Sequence, residues 1–157
     1  MVTNITGDIL TSKANFIVHS VNPISMNSDI AYRISEEYRH VEKEYLKYLR
    51  FCNKNNRDII GSVQYIPIES WALIMIDTMK NNNIIDYDAN YQYIVNMFCE
   101  SATEDGIKTN IKAMKSAFEG VLANAKRLNA TVAIPYSIGK IVYDIIKKHD
   151  VDVEIWR

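Results

Sequence analysis

Two cysteines in 157 residues, Cys52 and Cys99, are too few for a disulfide framework. Two reduced, partly buried thiols are expected instead. The histidines His19, His40 and His149 are scattered, with no metal-ligand spacing around them. No metal site and no cofactor are therefore expected. The longest strongly apolar run, WALIMI at 71–76, is far too short to cross a bilayer. The first residues, MVTNITGDIL, lack the charged start and apolar stretch of a secretory signal. These absences predict a cytoplasmic chain with no membrane partner. Charge of one sign is lacking too. The formal net charge is −1, and lysines and acids are mixed along the chain. Nothing in that balance attracts nucleic acid, and there is no acidic tail of the disordered kind. Internal repeats and low-complexity linkers are also absent.

What is present is enough apolar material for a core. The chain is 48% hydrophobic, and its length predicts one domain over 1–157 that buries about two-thirds of its unfolded surface. Abundant Asn, Ile, Lys and Tyr fit an AT-rich genome, such as that of a phage or a low-GC bacterium, and say nothing about chemistry.

The periodicity alternates between strand and helix. Residues 2–5 are a short β-prone start. FIVHSV at 16–21 and TVAIP at 131–135 are nearly all apolar, the pattern of strands buried on both faces. From Ile30, a stripe of Ile34, Tyr38, Val41, Tyr45 and Leu49 predicts one long helix closed at Asn53 to Asn56. Asn27 or Ser28 is its expected cap, and Asp29 favours the positive end of its dipole. Strands are predicted at Gly61–Ile66, Trp71–Ile76 and Tyr91–Phe98, with a loop at Lys80–Asn83 and another at SATEDG. The helical stripe from Ile107 to Leu128 is the strongest in the chain. A short helix around Ile141–Ile146 and a strand in VDVEIW complete the pattern. This alternation predicts an α/β domain, a three-layer α/β/α sandwich around a mixed sheet.

In such sheets ligands sit at the carboxyl ends of strands. Three strand-end segments stand out: Gly7-Asp8-Ile9, Asn22 to Ala31, and Pro135 to Lys140. The last two run from buried strands into helix N-termini. Two such termini at one sheet edge make an anion site, because free N–H groups and dipoles both favour phosphate.

GDIL, FIVHSVN, MNSDIAYRI and VAIPYSIG, with GSVQ, IVNMF and the long helix at 107–128, occur in an order and at spacings that resemble macrodomains. The resemblance covers almost the whole chain. It is similar above all to the small single-domain forms that include ADP-ribose-1″-phosphate phosphatases and ADP-ribosyl-glutamate hydrolases. It implies a site for ADP-ribose. Asp8 would accept a hydrogen bond from the adenine amino group, with the Ile9 backbone beside it. Asn22 would touch the distal ribose. Ile30 and Ala31 would offer N–H groups to the diphosphate, and Ser137-Ile138-Gly139 would wrap it from the other side.

Two departures from the family pattern matter. Its first loop usually reads like MGxGIA, whereas Met26-Asn27-Ser28-Asp29-Ile30-Ala31 stands here. Glycine permits close approach to phosphate, and Asp29 instead adds a negative charge. Like charges at about 4 Å and an effective dielectric near 20 repel by roughly 4 kcal/mol. The second phosphate loop is also shortened, because Gly139 runs straight into Lys140-Ile141-Val142. Lys140 is the point charge available to compensate. The lysine of the glutamate-hydrolase branch is not found after IVNM, where Phe98 stands. His19 matches the histidine of the phosphatase branch and is the candidate acid, base or nucleophile, with Glu100 the nearest carboxylate. Binding of ADP-ribose or a related NAD-derived nucleotide is the leading expectation. Hydrolysis of ADP-ribose-1″-phosphate or of ADP-ribosyl groups comes second, and a degenerate site acting through protein contacts third.

Overall fold

The nearly all-apolar strands find cover on both faces. In the computed structural model, which describes residues 1–26, 29–73 and 91–157, β1 (Val2–Ile5), β2 (Phe16–Val21), β3 (Val63–Pro67), β4 (Tyr93–Phe98), β7 (Val132–Pro135) and β8 (Val153–Trp156) form a six-stranded sheet of order β1-β8-β7-β2-β4-β3. All neighbours run parallel except β3, which pairs antiparallel with β4. Helices α1 (Asp29–Glu37) and α2 (Arg39–Lys54) lie on one face, and α3 (Ile111–Leu128) and α4 (Tyr136–Ile146) on the other. Alternation along the strands divides the core accordingly. Phe16, Val18, Tyr93, Val95 and Met97 pack with α3 and α4. Ile17, Val21, Ile94 and Phe98 pack with α1 and α2. This is the three-layer α/β/α sandwich with a mixed sheet that the sequence predicts.

Several local expectations are corrected. The long helix from Ile30 is two helices, broken at Tyr38, whose φ of −126° and ψ of 77° leave the helical region. The bend keeps both halves on the sheet: Ala31 and Ile34 pack from α1, Val41, Tyr45 and Cys52 from α2. His40, just past it, bonds through its ring to the Pro67 carbonyl at 2.9 Å. The SATEDG loop is instead a hairpin of β5 (Glu100–Thr103) and β6 (Gly106–Thr109). Ile107 accordingly belongs to β6, and the long helix starts at Ile111, capped by Asn110 accepting from the Ala113 N–H at 3.0 Å. That helix ends on Asn129 at φ 54°, a left-handed position that asparagine tolerates. Trp71 lies in a turn and Ala72–Leu73 are helical rather than extended, because Ala72 and Leu73 N–H groups bond back to Glu69 and Ser70. The remainder of the predicted strand at 74–76, the loop at 80–83 and the caps Asn27 and Ser28 lie outside the described residues. Cys52 and Cys99 are buried free thiols. No helix among the described residues is long and apolar enough to cross a membrane.

The helix α4 lies against β8 through Gly139. A Cβ there would stand 2.9 Å from Cγ2 of Ile155, a branch fixed to the stiff Cβ of a buried strand residue. Alanine is the better helix former by about 1 kcal/mol, yet overpacking costs about 1–3 kcal/mol. Gly139→Ala is therefore expected to lower stability, and a urea midpoint equal to or above the parent's would contradict the packing described.

Candidate functional site

A crevice of about 110 Å³ opens at the carboxyl ends of β2 and β7. Its walls are His19 and Ser20 at the end of β2, Asp29, Ile30 and Ala31 at the start of α1, Pro135, Ser137 and Ile138 at the start of α4, and Glu100 at the base of the hairpin. The two helix N-termini that the sequence brings to one sheet edge do converge here. The first N–H groups of each helix have no intrahelical partner, and both dipoles point their positive ends into the crevice. Among the described residues, no lysine or arginine is a wall, while Asp29 and Glu100 are.

Asp29 is exposed and takes φ 38°, a region that favours glycine. An aspartate thus occupies the geometry of a glycine, at the place where the resemblance expects one. Glu100 is held by the Ser20 hydroxyl, which donates to it at 2.8 Å.

The α4 side corrects one expectation. No loop follows β7: Pro135 is the N-cap residue, at φ −71° and ψ 153°, and Tyr136 already belongs to the helix. Ser137, Ile138 and Gly139 therefore cannot wrap a diphosphate as a loop. They offer it only a helix start. Gly139 faces Ile155 rather than the crevice, and Lys140 is exposed and is no part of the walls, so neither acts there as expected.

At the other end of the sheet, Asp8 follows β1. Its carboxylate accepts from the Leu10 N–H at 3.0 Å, capping a 3-10 turn at Ile9–Thr11, and pairs with the Arg33 guanidinium. The Arg33 hydrogen bond holds the Asp8 carboxyl below the usual carboxylate range. Ile9 is buried in the core. Asn22 is buried, and its side-chain oxygen accepts from the Ile24 and Ser25 N–H groups at 2.8 and 3.0 Å, shaping the turn after β2. Its backbone carbonyl accepts from the Tyr45 hydroxyl at 2.7 Å. Asp8 and Asn22 therefore both hold backbone turns, and neither is among the crevice walls.

His19 is 2% exposed. Its Nε2 lies 2.5 Å from Asn96 Oδ1. Asn96 Nδ2 donates to Gln64 Oε1 at 3.1 Å, and Gln64 Nε2 donates to the Glu44 carbonyl at 3.0 Å. Gln64 and Asn96 lie within GSVQ and IVNMF, segments that carry the resemblance without implying a role for either residue. The available signal was an asparagine amid a fully buried strand, since a buried amide needs partners. Burial lowers the His19 pKa to about 4 against a partial opposing effect of the Asn96 bond. Among the described residues, no group of His, Cys, Asp or Glu is placed to hold a metal ion.

The layers, the strand order and a crevice at the carboxyl ends of parallel strands define a three-layer α/β/α sandwich with a mixed sheet. The particular fold is the macrodomain fold. The chain is similar to a macrodomain protein from Streptomyces coelicolor, with TM-score 0.73 and 17% identity over 100% of this chain and 99% of that one. It is similar also to the macrodomain of Mycobacterium tuberculosis DarG, with TM-score 0.67 and 18% identity over 99% and 97%. A third similar structure is Thermosipho africanus DarTG in complex with ADP-ribose, with TM-score 0.63 and 17% identity over 98% of this chain and 41% of that one. By sequence, no family model and no curated protein matches.

The neutral buried imidazole has a pH consequence. Its folded pKa of about 4 lies below the ordinary 6.5, so the unfolded chain binds the extra proton between those values. Stability is then lost as pH falls from about 6.5 to 4, by an amount on the order of a few kcal/mol. His19→Leu should flatten that part of the profile in urea titrations across this range. Parallel profiles for parent and variant would mean that folding leaves the protonation of His19 unchanged.

Proposed function

We propose that this chain binds ADP-ribose or a closely related NAD-derived nucleotide, with the diphosphate between the starts of α1 and α4. The observation that carries the reading is the convergence of those two helix N-termini on one crevice. The macrodomain fold supports it, as does a similar structure, that of Thermosipho africanus DarTG, which is in complex with ADP-ribose. The crevice itself is smaller than a typical ligand pocket of roughly 300–1,000 Å³. A nucleotide therefore extends from it across the strand ends toward β1. There the Asp8 carboxylate, which keeps spare lone pairs beside its two partners, reads the adenine amino group.

Hydrolysis with His19 as a general acid is disfavoured by its state. An imidazole with a pKa near 4 is neutral at pH 7, so it lacks the imidazolium proton that a general acid would give a leaving group. Of the two wall carboxylates, Asp29 and Glu100, the second accepts from the Ser20 hydroxyl, and neither bonds to His19 among the described contacts.

Calorimetry with ADP-ribose tests the reading. Ser137 is exposed on the crevice wall at the start of α4. Ser137→Glu suits the helix dipole and should leave the fold intact, yet it should weaken ADP-ribose binding about ten-fold or more, roughly 1.4 kcal/mol. Asp29→Gly removes a charge and relieves the positive φ, so binding should tighten several-fold, with a smaller gain at high salt. Lys140→Ala should leave affinity unchanged. No heat of binding in the parent would favour a degenerate domain acting through protein contacts.

A further inference from the structure

The near-neutral balance of the whole chain, which argues against a nucleic-acid partner, conceals a local excess. Residues 39–57 carry Arg39, Lys43, Lys47, Arg50, Lys54 and Arg57 against Glu42 and Glu44 alone, a net charge of +4 in a chain of net −1. The first five lie in α2, at steps of four, four, three and four residues. At about 100° per residue those steps keep them within an arc of about 80°, in a row about 22 Å long. Val41, Tyr45 and Cys52, which pack on the sheet, sit about 180° away around the helix. The row therefore runs along the outer crest of α2, and all five side chains are exposed. Among the described residues, Lys47 pairs with Glu44 at 3.2 Å, and the other four form no ion pair. Like charges four residues apart weaken a helix, and nothing in the fold relieves these.

One flank of the row carries a ring. Phe51 is 51% exposed. It stands four residues after Lys47 and three before Lys54, so it adjoins both on the helix surface. Its ring lies at 17° to that of Tyr48, with centroids 6.5 Å apart, and Tyr48 in turn meets the ring of the buried Phe98. The outermost ring is thus propped from the core.

A row of cations beside a propped aromatic ring suits a single nucleic-acid strand, whose phosphates follow the cations while a base stacks on the ring. In a duplex the bases cover one another, so the ring favours an unpaired strand. An anionic membrane fits less well. An interfacial helix inserts its apolar face, and that of α2 is already packed on the sheet. An acidic peptide would meet the charges and leave the ring unused.

We propose that the outer face of α2 binds single-stranded nucleic acid, with Arg39, Lys43, Arg50 and Lys54 on the phosphates and Phe51 under a base. No residue of α2 is a wall of the crevice, so this surface does not depend on the reading of the crevice as a nucleotide site.

Fluorescence anisotropy of the full chain with a labelled oligothymidylate of about twelve residues tests it. The parent is expected to bind with a Kd on the order of 10 μM at about 50 mM salt. Lys43→Gln together with Arg50→Gln should weaken binding about ten-fold, and should lower the slope of log affinity against log salt by about 1.4. Phe51→Leu keeps an apolar side chain on Tyr48 and removes the stacking face, so affinity should fall about ten-fold with the slope unchanged. Melting curves and ADP-ribose calorimetry should match the parent's in both variants. A parent that does not bind the strand, a double variant with the parent's affinity and salt slope, or a Phe51→Leu variant that binds as the parent does would each overturn the proposal and leave the crevice reading in place. Tighter binding to polyglutamate, or to vesicles of phosphatidylserine and phosphatidylcholine in equal parts, than to the strand would overturn it as well.

Discussion

Burial of the central strands between two helical layers is the constraint on which the rest depends. A side chain in β2 or β4 meets packed apolar groups whichever face it takes, so any polar group there must find its partner inside the protein. His19 Nε2, Asn96 and Gln64 meet that requirement on the α2 side as a row across three strands, and the row ends on a helix carbonyl. At the carboxyl end of β2 the layers part and the crevice begins. The site is therefore the place where a dry sheet stops being covered, and its floor inherits the order of the interior.

The electrostatics of that opening are divided. Two helix starts favour an anion, and two carboxylates oppose one. Dipoles act within the first turn, and the carboxylates act as full charges softened by water. Asp29 belongs to both sides, since it suits the dipole of α1 while standing where an anion would dock. With no arginine or lysine among the described walls, the crevice presents directed N–H groups and acceptors without positive side-chain charge.

How much of this was legible in the sequence follows from which signals are local. Strands such as FIVHSV and TVAIP announce their double burial through composition, and the long stripe ending at Leu128 announces a helix. From these the layers and the strand-end crevice could be read, together with Ile30, Ala31 and Ser137 near it. The break at Tyr38 carries no glycine or proline, because it is set by how two helix segments settle on one sheet. The hairpin at 100–109 is two short exposed strands, whose polar residues read as a loop. Gly139 looks like part of a phosphate loop, but its reason is Ile155, distant in sequence and touching in space. Asp8 and Asn22 hold turns, and the partners that decide their geometry, Leu10, Arg33, Ile24 and Ser25, are visible only in three dimensions.

The position of β8 bears on the order in which the chain can assemble. The strand nearest the end of the sequence is not an edge: it lies between β1 and β7 and pairs with both. Until Val153–Trp156 is available, β1 has nothing to pair with and the VAIP strand presents an open, apolar edge. Such an edge invites pairing with another chain. Closing it also joins segments separated by nearly the full length of the chain, a slow kind of contact to make. A ribosome that has not yet made β8 thus holds a sheet that is split, with the apolar edge of β7 exposed.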